Sequence, residues 1–204
     1  MSDTPMSDTL IYLASASPRR HDLLQQIGIA HQVLQVPSPP GEDEPMLENE
    51  PPAVYVRRTA REKALRATDW IRSRALTVRP VLCADTTVIL DGQALGKPAH
   101  AEDAMDMLRR LSGRTHEVHT AIVVAHAGRI HEDVSITQVR FAALDEREIR
   151  QYSASGEPMG KAGGYGIQGW AGRFVVHISG SHTGVMGLPV HETVRLLRAA
   201  GWRA

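Results

Sequence analysis

Leu10-Ile11-Tyr12-Leu13-Ala14-Ser15-Ala16-Ser17-Pro18-Arg19-Arg20 is the stretch that decides the fold. Its apolar start suits a buried strand. Serine before proline is a helix-start signal, because the hydroxyl can cap and the N–H that proline lacks would be unpaired in the first turn anyway. Leu23, Leu24 and Ile27 give that helix an apolar stripe, and Gly28 ends it. The chain thus opens as strand, serine loop and helix N-terminus. Free backbone N–H groups and the helix dipole at such a point favour an anion. Ser15, Ser17, Arg19 and Arg20 add hydroxyl and guanidinium donors, and arginine can grip phosphate through two hydrogen bonds. A capped surface helix with solvated arginines is the other reading of the same residues.

Outward from there, residues 36–52 are rich in proline and acid and read as a loop. A helix is expected from about 53 to 70, with Val54, Ala60, Ala64 and Leu65 toward the core. Val81-Leu82-Cys83-Ala84 reads as a second buried strand leading into Asp85-Thr86-Thr87. Asp91-Gly92 is a hairpin signal, residues 94–98 return, and 101–111 form a helix closed by Ser112-Gly113. Paired strands follow over 116–125 and 130–141, around Ala127-Gly128. Asp145 with Glu148 forms a capping box for a helix ending near Gly156. Ten of the 17 glycines lie between Gly156 and Gly187, a span that holds a strand over 173–178; a last amphipathic helix begins at Pro189. Strands and helices alternate enough to make the fold α/β with a mixed sheet.

An acid straight after an apolar strand stands where a sheet ends, and the ligands of α/β proteins gather at strand ends. Asp85 could there hold a divalent cation or accept a proton from attacking water, or simply cap a neighbouring backbone group. Lys97 and Lys161 sit beside glycines and a proline, on backbone that is rigid or permissive. Lys63, in Arg61-Glu62-Lys63-Ala64, reads equally as a solvated helix residue. Glu157 shares a loop with Lys161, and the run Glu42-Asp43-Glu44 offers further carboxylates for a metal. His116 and His119 flank a strand turn and read as surface histidines.

Bulk composition excludes several classes. The 204 residues carry 23 basic and 23 acidic side chains, so no overall field draws the chain to nucleic acid or membrane. Aromatics at 4% argue against stacking platforms for single strands. One cysteine, Cys83, excludes an internal disulfide and a cysteine-based zinc site, and its apolar surroundings make it a buried spectator. No apolar run reaches the roughly 20 residues a membrane helix needs. The first nine residues are polar and acidic, which suits a frayed segment of a cytoplasmic protein ahead of a single domain over 10–204.

Taken in order, these motifs resemble the Maf family of nucleoside triphosphate pyrophosphatases. The resemblance rests on residues 13–20, Arg61-Glu62-Lys63-Ala64, Ala84-Asp85-Thr86 and Gly96-Lys97-Pro98. Leu111-Ser112-Gly113 with His116, Gly156-Glu157-Pro158, residues 161–169 and Gly187-Leu188-Pro189 complete it. It implies a Maf/ITPase-like fold: a twisted mixed sheet flanked by helices, with a cleft between two lobes. It also implies a homodimer, and hydrolysis of a nucleoside triphosphate to monophosphate and pyrophosphate with Mg²⁺ or Mn²⁺. By resemblance Asp85 is the proton acceptor, and Ser15, Arg20, Lys63, Lys97 and Lys161 hold phosphates. Asp85, Glu44 and Glu157 are the implied metal ligands. Arg19, Thr86 and Gln168 match the three positions that mark the branch acting on dTTP and UTP, whereas the 7-methyl-GTP branch carries an aromatic, a glutamine and a glutamate. A glutamine amide, both donor and acceptor, suits the edge of uracil or thymine. Two departures stand out: Gly160 precedes Lys161 where relatives often have aspartate, and His182-Thr183-Gly184 follows Ser181 where they commonly begin with tyrosine. The lost carboxylate keeps a second expectation in view, a nucleotide-binding regulator of cell division without significant turnover.

Overall fold

The computed structural model describes residues 9–37 and 45–203. Its elements are β1 (Ile11–Leu13), α1 (Pro18–Gln26), β2 (His31–Val33), α2 (Pro52–Ser73), β3 (Val81–Leu90), β4 (Gln93–Leu95), α3 (Ala101–Leu111) and β5 (Thr115–His126). β6 (Arg129–Phe141), α4 (Glu146–Ala154), β7 (Val175–Ser179), α5 (His182–Met186) and α6 (Val190–Ala199) follow. One mixed sheet runs β2-β1-β3-β5-β6-β7, with β4 added to β3. β1 is parallel to β2 and β3, and every other pairing is antiparallel. The expected mixed α/β sheet is therefore present.

Successive residues of a strand face opposite sides, and β3 uses both. Val81 and Cys83 pack with Tyr12, Val123 and the α2 residues Val56, Ala60, Ala64, Ala67 and Ile71. Leu82 and Ala84 face the other way, against Leu23 and Leu24 of α1 and Leu196 and Leu197 of α6. Farther along, Val88 and Leu90 join a third cluster with Leu108 and Leu111 of α3, Ile149 and Tyr152 of α4, and Phe141. The stripe that α2 lays on the sheet is made of small residues, which let the helix approach closely. Val54 and Leu65 fall outside it and are 52% and 48% exposed, against the expectation from their apolarity.

Several other expectations are corrected. β3 does not end at Ala84 but runs through Asp85, Thr86 and Thr87 to Leu90. Its polar residues stay in the ladder because β5 pairs with it from Val81 to Ile89. On its other edge β1 pairs with Val81 and Leu82, and β4 with Val88 to Leu90, so residues 84–87 take a strand partner from β5 alone. The sheet is split at that gap. The strand expected over 173–178 starts only at Val175, because Arg173 and Phe174 belong to a 3₁₀ turn that buries Phe174. Ile27 lies beyond the last turn of α1 and is exposed. Ser17 stands at the N-cap without a side-chain cap bond, and it is Ser15 Oγ that accepts from Ser17 N. The Asp145–Glu148 capping box is present in full. Of the segment expected to fray, Thr9 is described, and its carbonyl accepts from Trp202 Nε1; residues 1–8 lie outside the described residues. No helix among the described residues is long and apolar enough to cross a membrane.

The two histidines assigned to the surface are buried, His116 at 2% and His119 at 5% exposure. His116 shares a hydrogen bond of 2.7 Å with the Tyr165 hydroxyl and packs edge-on against Phe141. Burial pushes its imidazole down to about 4 from an ordinary 6.5. In that window the unfolded chain takes up a proton that the folded chain refuses. Stability attributable to His116 is whole above pH 6.5 and falls as pH drops toward 4, by on the order of 3 kcal/mol. Urea unfolding across the window will show wild type weakening toward acid, with a flatter slope for His116→Gln.

Candidate functional site

The anion reading of the serine loop can be checked against its neighbours. An open cleft of about 720 Å³ is lined by Ser15 through His21, Val33 through Val36, Lys63, Arg66, Lys97 and Gly160. Arg19, Arg20, Lys63, Arg66 and Lys97 bring five cationic side chains to this wall, and no carboxylate lines it among the described residues. A chain without net charge has thus concentrated positive charge in one concavity, where a polyanion would be held.

Arg20 is the keystone of the loop. Its Nε donates to Gly187 O at 2.8 Å, one terminal nitrogen to Ser15 Oγ at 3.0 Å and the other to Thr86 Oγ1 at 3.3 Å. Burial weakens its hold on its proton, and the nearby Asp85 carboxylate partly restores it. Asp85 itself accepts from Lys63 Nζ at 2.7 Å, with both side chains largely shielded from solvent. Lys63 is accordingly a paired residue of the cleft wall and not a solvated one.

Asp85 and Thr86 are neighbours in β3, so they face opposite sides of the sheet. On the Thr86 side lies a small pocket of about 30 Å³, lined by Arg19, Thr86, Val88, Lys161, Tyr165, Gln168 and Met186 among others. Arg19 lines both cavities and so joins them. Arg19 and Gln168 form no side-chain hydrogen bond with the described residues, which leaves guanidinium and amide to meet a ligand. Desolvation and the charge of Arg19 both lower the proton affinity of Lys161, whose Nζ donates to the Glu157 carbonyl oxygen.

The structure therefore brings Ser15, Arg19, Arg20, Lys63 and Lys97 to one cavity and Arg19, Thr86, Lys161 and Gln168 to the other. Asp85 lines neither cavity and meets this set only through Lys63. The family model for Maf-like protein matches residues 10–200. The chain belongs to the Maf family. A Bordetella pertussis relative named dTTP/UTP pyrophosphatase is 62% identical over 191 residues, which is 94% of this chain and 92% of the relative. A Dechloromonas aromatica relative with the same name is 49% identical over 197 residues, 95% of this chain and 98% of the relative.

Of the other two carboxylates expected at the metal site, only Glu157 is described, and it stands apart from this set. Glu44 lies outside the described residues. Glu157 lines neither cavity: its Oε1 accepts from the Tyr152 hydroxyl at 3.1 Å and its Oε2 from Trp170 N at 3.0 Å. Burial and the Glu157 charge raise the Tyr152 pKa, so that phenol remains a donor. No three His, Cys, Asp or Glu side chains come together as a cation site among the described residues. Gly160, with φ of 71°, lines the cleft without a side chain. Residues that sequence reasoning passed over also stand here: Arg66 in the cleft, and Tyr165, Val185 and Met186 in the small pocket. Arg66 had a signal in its spacing, three residues after Lys63 and so on the same face of α2.

Glu157 fixes the loop that carries Lys161 and Gln168. A methyl group at Gly169 would lie 2.4 Å from Glu157 Oε1, so only glycine lets the carboxylate in. Gly169→Ala should cost about 2 kcal/mol of stability, read as a lower urea midpoint, because it expels the acceptor of Tyr152 and Trp170.

Proposed function

We propose that this Maf protein hydrolyses dTTP and UTP between the α- and β-phosphates, releasing the nucleoside monophosphate and pyrophosphate. The observation that carries the reading is the pair of joined cavities, one with five cationic side chains in its lining, the other holding Arg19, Thr86 and Gln168. Its relatives' names point the same way. The triphosphate lies in the larger cavity, where Arg20, Lys63 and Lys97 neutralise it and Ser15 offers a hydroxyl, while Lys161 reaches it from the adjoining pocket; together they stabilise charge on the departing pyrophosphate. The pyrimidine enters the smaller one, where the Gln168 amide offers donor and acceptor to the base edge.

Water attacks the α-phosphorus, a new P–O bond forms as the bond to the β-phosphate oxygen breaks, and Asp85 takes the water's proton. The Lys63 ammonium holds that carboxylate in place at 2.7 Å. Mg²⁺ or Mn²⁺ needs few protein ligands when phosphate oxygens and water complete its shell, and Asp85 suits that role as a single carboxylate. A bound cation would supply further neutralisation of the phosphates. Glu157, with both oxygens engaged by Tyr152 and Trp170, is a weaker choice of ligand. The assembly is proposed as a homodimer in the cytoplasm.

Purified protein with Mg²⁺ or Mn²⁺ should release pyrophosphate from dTTP and UTP, and orthophosphate as first product would defeat the mechanism. Asp85→Asn should lower kcat about a hundredfold or more while nucleotide still binds. Gly160, which puts no side chain into the cleft where relatives often carry aspartate, favours a second reading as a nucleotide-binding regulator. Tight UTP binding with no pyrophosphate release from the wild-type protein would decide for it.

A further inference from the structure

Thr86 lines the small pocket, and its hydroxyl belongs to a chain of hydrogen bonds whose direction can be worked out. Thr120 lies directly across from Thr86 in the β3–β5 ladder and is fully buried. Its Oγ1 is 2.8 Å from the Gly184 carbonyl oxygen, which can only accept, so the single hydroxyl proton of Thr120 is spent there. Thr86 Oγ1 is 3.0 Å from Thr120 Oγ1. With Thr120's proton committed, Thr86 must donate in that contact. Arg20, always a donor, approaches Thr86 from the other side at 3.3 Å. The chain therefore runs from Arg20 to Thr86 to Thr120 to Gly184, with every proton assigned. A hydroxyl has one proton and two lone pairs, so Thr86 retains one lone pair and no proton for anything else.

That polarity has a chemical reading. Uracil and thymine present a ring N3–H donor between two carbonyl oxygens, whereas cytosine presents an unprotonated N3 with a lone pair. A hydroxyl locked as acceptor pairs with the first and repels the second. A site with its polar groups fixed in one sense rejects a ligand that leaves them unpaired. We propose that Thr120 is a specificity-determining positioning residue, which fixes the Thr86 hydroxyl as an acceptor and so selects pyrimidines carrying a ring N–H over cytosine. The proposal rests on the pyrimidine reading of the pocket given above, and adds a residue that touches no substrate.

The test compares kcat/KM for UTP and CTP, by pyrophosphate release, in wild type, Thr120→Val and Thr120→Ser. In T120V the Thr86 hydroxyl is released to turn its proton toward the pocket. The UTP/CTP ratio should fall about tenfold, equivalent to about 1.4 kcal/mol, with the CTP value itself rising. T120S restores the hydroxyl and should keep the wild-type ratio. Loss of both activities in equal proportion, or an unchanged ratio in T120V, overturns the proposal, since merely structural damage cannot raise turnover of CTP. A second measurement needs no variant: wild type should discriminate against N3-methyl-UTP by at least tenfold relative to UTP, and equal turnover of the two overturns the proposal. Absence of pyrophosphate release from UTP and dTTP by wild type strikes instead at the pyrimidine reading, and the proposal falls with it.

Discussion

The antiparallel ladder between β3 and β5 is the constraint on which the rest of the molecule depends. It is continuous from Val81 to Ile89, past the point where β1 has ended and before β4 has begun. Each neighbour of β3 can therefore be short. Because β5 alone supports residues 84–87, the opposite edge of the strand is left facing a gap in the sheet. The serine loop, α1 and Lys63 of α2 gather around it. A buried polar segment needs partners for its backbone, and the ladder supplies them on one side while ion pairing and hydroxyl contacts serve the side chains.

Around this gap, residues distant in sequence are tied by single hydrogen-bonding groups. Arg20 spans from Ser15 to Gly187, a separation of 167 residues for one of its bonds, and reaches Thr86 as well. Lys63 links α2 to Asp85. Glu157 organises the glycine-rich loop by accepting from Tyr152 and Trp170. The cations around the cleft oppose one another: the charge of Arg19 lowers the proton affinity of Arg20 and of Lys161. Filling the cleft with an anion removes that repulsion, so the site gains from a ligand electrostatic relief that its own carboxylates provide only in part.

The elements readable in the sequence were those with local causes. The opening strand, its proline-started helix, the Asp91-Gly92 turn and the Asp145–Glu148 capping box all announce themselves within a few residues. The serine loop's arginines and Asp85 were legible as candidates for the same reason. What stayed hidden depends on distant partners. β3 could not be seen continuing through Asp85-Thr86-Thr87, since polar residues end an apolar run unless another strand holds them. β2 has only three residues and little buried surface of its own, and α5 lies within the glycine-rich region without a periodic pattern. His116 looked solvated because nothing in its spacing reveals Phe141 and Tyr165 closing over it, and His119 because nothing reveals that the opposite face of β5 is buried too. Glu157 looked like a ligand because its charge was visible, whereas the Tyr152 hydroxyl and Trp170 amide that occupy it were not.

The alternation of β3 has an evolutionary corollary. Asp85 and Thr86 share one peptide bond, yet their side chains emerge on opposite surfaces of the sheet. Each answers to a different set of neighbours: Asp85 to Lys63, Thr86 to Arg20 and Thr120. Under the proposed function, mutational drift at the second position would retune which molecule is admitted without disturbing the carboxylate beside it. On that reading a lineage built on this strand would diversify its diet while inheriting its reactivity unchanged.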